Sequence, residues 1–391
     1  MSETLVCIAE EVGLRAWLER VLGDTWTLEF VSSGDLSRVN RLIQASQAKV
    51  VIAAVNETEQ GRSAKLFSAI LTSNPAVSLV AVAQHISQEL LLEVMRAGAR
   101  DCLITGVDGD RANERILALS QLSGVDSASK PEREAGSLTL VLGAASVVDT
   151  RFFAQNLACE LSHQQSAGSV LAIDTMATEN RSFYLDSLNR LSLNDLVNRT
   201  EAIDQAFVNT ALEEYSPGLR LLSGNIMAET LTGDDAADLF IAISRLAELF
   251  DHMVIRVVEH QAKAWLKILG SDITKVVILA HPVVDQIQYT EAMLQQSQKW
   301  LGANCERLVV LDGYRKGATL KLEDIEKNLG CEASLRLPVE WLNRLDSINA
   351  GVPLGALPRS SPYQKRLVDF VHKHYIDSHA AKRSFAFFKK R

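Results

Sequence analysis

The stretch GAASVVDTRFFAQNLA, Gly143–Ala158, decides the fold of the larger part of this chain. It follows a short apolar run, LTLVL at 138–142, and passes into apolar residues at helical spacing. Strand, glycine turn and helix in that order mark the place where α/β nucleotide-binding proteins hold phosphate. Yet the stretch has no glycine after Gly143 and no lysine. It reads as a phosphate loop in position and not in chemistry.

Downstream, SVLAID, LRLLS, HMVIRVV, KVVILAH and RLVVLD are further buried-strand runs, with helical stretches between most of them. That alternation predicts a parallel sheet covered by helices over residues 138–376. Upstream, residues 1–123 show the same alternation: the strands TLVCIA, KVVIAAV, SLVAVA and DCLI, with helices such as RAWLERVL and SAKLFSAILTS between them. The polar segment GVDSASKPEREAGS, 124–137, is the expected linker. The predicted fold class is therefore α/β, with two doubly wound parallel-sheet domains. Residues 377–391 turn basic and aromatic and are expected to form a tail.

With 391 residues, 47% of them apolar, and no apolar run long enough for a membrane span, a soluble, cytosolic chain is expected. The acidic start MSETLVCIAEE lacks the basic region of a secretory signal. Five scattered cysteines, none in a CxxC pair, point to a reducing compartment and away from disulfide or zinc chemistry. A net charge of −8 argues against broad nucleic-acid binding. His372 and His374 lie two apart, on different sides of a helix, so no metal set is expected, and no cofactor.

The segment SLVAVAQHISQELLLEVMRAGARDCLITG, 78–106, resembles the fourth strand, fourth helix and fifth strand of response-regulator receivers. Carried over, the resemblance puts the acidic positions on Glu10 and Glu11 and the phosphoacceptor on Ala54. The hydroxyl position falls on Ala83 and the lysine position on Thr105. Without a carboxylate at Ala54 no aspartyl phosphate forms there, and without the lysine transferred charge has no partner. The reading is a pseudo-receiver. A register slip toward Asn56 or Glu57, or a plain α/β scaffold of another lineage, stays open.

The closing segments LKLEDIEKNLGCEASLRLPVEW, 320–341, and INAGVPLGALPRSSPYQKRLVDFV, 348–371, resemble the C-terminal part of the CpaE/TadZ family of the ParA/MinD group. The order pseudo-receiver, linker, ParA-like domain is also that family's order. Anchored on Asn156, Leu157 and Ala158, the group's KGGVGKT loop puts its first lysine on Ala145. Its glycines fall on Ser146, Val147 and Asp149, its phosphate-gripping lysine on Thr150 and its metal-binding hydroxyl on Arg151. The first switch aspartate is kept as Asp174, while the second falls on Met176. The metal-linked aspartate of the fourth strand falls on Arg256, and the adenine-reading asparagine on Asp312. Val147 resists left-handed backbone, Asp149 puts negative charge where a triphosphate sits, and Thr150 supplies no cation.

Arg256 is therefore expected near Asp149, Asp174 or both, as an ion pair in place of nucleotide and metal. Anion binding by Arg151 with Arg256, or two unrelated surface arginines, are the alternatives. The tail residues Lys382, Arg383, Phe385, Phe387, Phe388, Lys389, Lys390 and Arg391 suit contact with an anionic membrane; a solvated tail or a partner-docking peptide is the alternative. What the family resemblance implies is a non-catalytic localisation and assembly factor of the bacterial Tad (Flp) pilus machinery. It would act as a homodimer, with the secretion ATPase and other machinery components as partners, at a cell pole or the inner membrane. The rival is a switch that binds ATP unconventionally through Arg151 and Arg256.

Overall fold

The computed structural model of this chain describes residues 3–57, 60–122, 136–164, 168–176, 182–186, 191–232 and 235–376. The chain divides into two compact units, each built on one sheet; by packing, residues 228–244 and 266–272 count with the first.

The first sheet has five strands, β1 (Thr4–Ile8), β2 (Thr27–Val31), β3 (Val50–Ala54), β4 (Ser78–Ala83) and β5 (Ala99–Ile104), in the order β2-β1-β3-β4-β5. All four pairings are parallel. β4 is buried at every position and β3 at all but its last, because helices cover both faces of central strands. β2 and the helix Leu36–Ser46 were not marked by the sequence pattern above. As an edge strand TLEFV keeps alternate side chains in solvent, so it lacks the continuous apolar run of its neighbours. The MRAGA turn needs its glycine: Gly98 has φ +104°, and a Cβ there would stand 2.3 Å from Leu71 Cδ1.

The second sheet holds β6 (Ser137–Gly143), β7 (Val170–Asp174), β8 (Glu214–Ser216), β9 (Leu219–Ser223), β10 (His252–Arg256), β11 (Lys275–Ala280), β12 (Glu306–Leu311) and β13 (Leu335–Arg336). Their order is β13-β12-β11-β6-β10-β7-β9-β8. The expectation of a purely parallel sheet is corrected at one edge, where β8 pairs antiparallel with β9 as a short hairpin. Two residues, Pro217 and Gly218, separate these strands, and Gly218 takes the positive φ that such a tight turn requires. β6 is central and wholly buried, and its C-terminal end delivers the loop 144–149 to the rim of the sheet.

The helix Pro362–Val371 packs on the helix Thr150–His163 and runs antiparallel to the strands. At its start Tyr363 meets Phe152 edge to face, with ring centroids 5.7 Å apart. Beyond its end His374 Nδ1 lies 2.5 Å from Glu306 Oε1, at the first residue of β12. Lys275 Nζ donates to the other Glu306 oxygen at 2.5 Å. Burial alone would raise the Glu306 carboxyl, but the hydrogen bonds from Lys275 and His374 outweigh it and hold the group below its ordinary value. A carboxylate lowered in the fold stabilises above its unfolded pKa and loses that contribution as pH falls through the lowered value. Glu306→Gln should therefore lower the melting temperature most above about pH 5, and the difference should shrink toward about pH 3. A difference independent of pH in thermal melts would contradict this.

Candidate functional site

Glycine is absent from the loop 144–149, and its backbone follows. Among the described residues only Gln47 and Phe183, outside glycine, have positive φ, so Val147 stays out of the left-handed region. Val148 is buried and keeps the loop anchored to the core. The helix Thr150–His163 begins directly after Asp149, whose Oδ1 accepts from Phe152 N at 3.0 Å. The same oxygen accepts from Tyr184 Oη at 3.3 Å. A carboxylate of the chain thus occupies the helix N-terminus, where an anion is favoured by free N–H groups and the helix dipole.

One strand over, Asp174 ends β7 fully buried. Arg256, at the end of β10, donates from Nη1 to Asp174 Oδ1 at 3.0 Å and from Nε to Thr150 Oγ1 at 3.1 Å. Arg151 Nε lies 2.8 Å from the other Asp174 oxygen, close but without hydrogen-bond alignment. Arg151 also donates from Nη2 to the Met176 carbonyl at 3.0 Å and stacks over the Tyr184 ring at 5.2 Å. Arg256 therefore pairs with Asp174, while Asp149 is engaged by Tyr184 and the helix instead. Both arginines that could have drawn an anion share one internal carboxylate.

The third aspartate is matched too. Asp312 follows β12, is buried, and takes Arg344 Nη2 on Oδ2 at 2.9 Å. The Arg344 guanidinium lies over the Phe152 ring at 4.8 Å and the Tyr363 ring at 5.7 Å. Burial alone would lower its pKa, but the Asp312 charge outweighs this and holds it above the ordinary value. Around these pairs lies an open cleft of about 940 Å³, which Val147, Asp149, Thr150, Arg151, Arg256 and Asp312 all line. Ala145 packs against the core beside it.

A short strap, residues 182–186, closes the wall over the helix N-terminus. Phe183 is buried at φ 60°, a conformation that costs of the order of 1–3 kcal/mol unless its surroundings impose it. Here they do: Tyr184 N donates to Gln155 Oε1 at 2.9 Å and Asp186 N to Gly351 O at 2.9 Å. Gly351 sits at φ +66°, where any other residue is strained, and a Cβ there would also crowd the Asp186 carboxylate. Tyr184, Arg344 and Trp341 were not anticipated. Arg344 carries no local signal, because its partner is 32 residues away.

At the first sheet, Glu10, Glu11, Ala54 and Ala83 line one cavity of about 520 Å³ with Asn56 and Glu57, whereas Thr105 lies in a neighbouring groove. Ala54 is the last residue of β3 and brings a methyl group to this cavity. Glu10 Oε1 accepts from Ser32 Oγ at 2.6 Å and from Ser33 N at 3.2 Å. The Ser32 hydrogen bond lowers its pKa most. Glu11 Oε2 accepts from Gln84 Nε2 at 3.1 Å. Among the described residues no group of three or more His, Cys, Asp or Glu could hold a metal, and no helix is long and apolar enough to cross a membrane. The tail residues Lys382, Arg383, Phe385, Phe387, Phe388, Lys389, Lys390 and Arg391, like the linker at 124–135, lie outside the described residues.

Residues 1–131 match the family described as pilus assembly protein TadZ N-terminal. A ParA family ATPase from Chlorobium tepidum is similar in fold, with a TM-score of 0.54 at 18% identity over 60% of this chain and 97% of that one. A CheY-like protein (tadZ) from Pseudomonas aeruginosa aligns with 30% of this chain and 99% of its own at 23% identity, with a TM-score of 0.29. The MinC:MinD cell division complex from Aquifex aeolicus aligns over 61% of this chain and 95% of its own, at 18% identity and a TM-score of 0.48. No curated protein matches.

Proposed function

We propose, from the match of residues 1–131 to the TadZ N-terminal family and the ParA-like fold of the second unit, that this chain is a pilus assembly protein of the CpaE/TadZ kind, a non-catalytic scaffold of the Tad pilus machinery. The pseudo-receiver would present a docking face, and the ParA/MinD-like domain would position machinery components at a pole or at the inner membrane. Its partners would be a second copy of itself, the secretion ATPase and other pilus components. It would not hydrolyse ATP.

One observation carries this reading: the chain's own carboxylates pair the three arginines of the site and cap its helix. Asp149 takes the helix N-terminus, Asp174 takes Arg151 and Arg256, and Asp312 takes Arg344. A triphosphate would meet Asp149 at the helix end and find no free cation among these three arginines. For ATP to bind through Arg151 and Arg256, it would have to displace a fully buried carboxylate and leave it unpaired, a cost of several kcal/mol.

Calorimetric titration with ATP and magnesium, with sedimentation velocity on the same sample, tests the proposal. No heat of binding at millimolar ATP together with a dimer is the expected result. Micromolar binding would overturn it and return the chain to the nucleotide switches.

A further inference from the structure

The cleft has uncovered apolar walls. Val147, Val339, Trp341 and Leu342 are 71, 70, 65 and 62% exposed, and Val284 is 60% exposed. Val147, Val339 and Trp341 line the same cleft, and Leu342 and Val284 directly follow lining residues. A concave apolar patch of this kind, with its charges cancelled internally, fits an apolar segment and not an ionised ligand.

We propose that the occupant is the chain's own C-terminal segment, seating Phe385, Phe387 and Phe388 on this rim. Reach supports it. The helix Pro362–Val371 starts at the cleft, where Ser361 Oγ and Tyr363 N both donate to Glu340 Oε2. It ends with the turn His372–Ile376 at the opposite end of the strands, beside Glu306. Those fifteen residues span roughly 20 Å. Residues 377–383 can cover about 23 Å on the way back, which brings the three phenylalanines level with the rim.

Charge supports it as well. Residues 377–391 hold five basic residues and one aspartate, a net +4, so residues 1–376 carry −12 of the chain's −8 total. Asp285, exposed beside Val284, offers a carboxylate at the rim itself. The occupied cleft would then hold its tail away from any other surface until a partner or a membrane competes for it. The inference rests on the cleft being free of nucleotide, which calorimetry tests separately, so the two readings can fail independently.

The test uses the full chain with Phe387 replaced by the photo-crosslinker p-benzoylphenylalanine, irradiated and mapped by mass spectrometry. Intramolecular cross-links to 339–342 or 283–284 are expected. They should fall on the order of tenfold in a Val339→Asp, Trp341→Asp variant that retains native circular dichroism. In a second measurement, Phe385, Phe387 and Phe388 are changed together to Ser, which leaves the folded body untouched. Amide exchange at 339–345 should then quicken on the order of tenfold. Cross-links scattered over the surface, or exchange unchanged by the triple variant, would overturn the proposal. So would rim cross-links only between two copies. Attachment only to lipid, in vesicles of phosphatidylcholine and phosphatidylglycerol, would make the segment a membrane anchor instead.

Discussion

Asp174→Ala should be among the most damaging single changes in the second unit, costing about 3–5 kcal/mol. It strands two guanidiniums at once, because Arg151 and Arg256 both approach this one buried carboxylate. With the partner gone, the arginines stand as unpaired like charges beside a helix N-terminus that is itself positive. For a unit of this size the loss corresponds to a fall of roughly 6–20 °C in melting temperature. The arrangement also fixes an order of effects. Arg256→Ala leaves Asp174 with Arg151 and should cost less than Asp174→Ala. Asp174→Asn, which keeps a hydrogen-bonding oxygen without its charge, should fall between parent and alanine. Equal melting temperatures for Asp174→Ala and the parent, read by calorimetric scanning, would mean that the ion cluster contributes nothing to closing the site.

The sequence made the strands legible where burial is symmetric. β1, β3, β4, β6, β7 and β11 are continuous apolar runs because helices cover both faces, and such runs stand out without any alignment. The edge strands β2 and β8 escaped because one side of each meets solvent and the apolar run breaks. The loop 144–149 could be placed from Asn156, Leu157 and Ala158, and an arginine at 256 then suggested a carboxylate nearby, with anion binding or unrelated surface arginines as the alternatives. Which carboxylate it was depended on the register of β7 against β10, where Asp174 stands opposite Arg256. No local spacing encodes that. Tyr184 and Arg344 were out of reach for the same reason: each acts across tens of residues, Tyr184 on Asp149 and Arg344 on Asp312. Position in a strand is local information, whereas the pairing of charges at strand ends belongs to the assembled sheet.

Arg344→Ala should cost about as much as Asp174→Ala, about 3–5 kcal/mol, by a different route. Here a single pair is buried against aromatic faces, so the substitution both strands Asp312 and removes the plate over Phe152 and Tyr363. Asp312→Asn alone should cost a similar amount, because Arg344 is then the unpaired charge. The double variant Arg344→Met, Asp312→Leu behaves otherwise if the pair is a substitute for ligand and not a source of stability. Two well-packed apolar side chains of similar volume remove both desolvation penalties together. That variant should lie within about 1 kcal/mol of the parent, whereas Arg344→Met and Asp312→Leu alone should each cost about 3–5 kcal/mol, a coupling of several kcal/mol in the double-mutant cycle. Denaturant melts of the four proteins decide it. An additive cycle, with the double variant as unstable as the sum of its parts, would show that Asp312 and Arg344 act through other neighbours. A strongly coupled cycle would show that the two charges act through each other, each neutralising the other's burial.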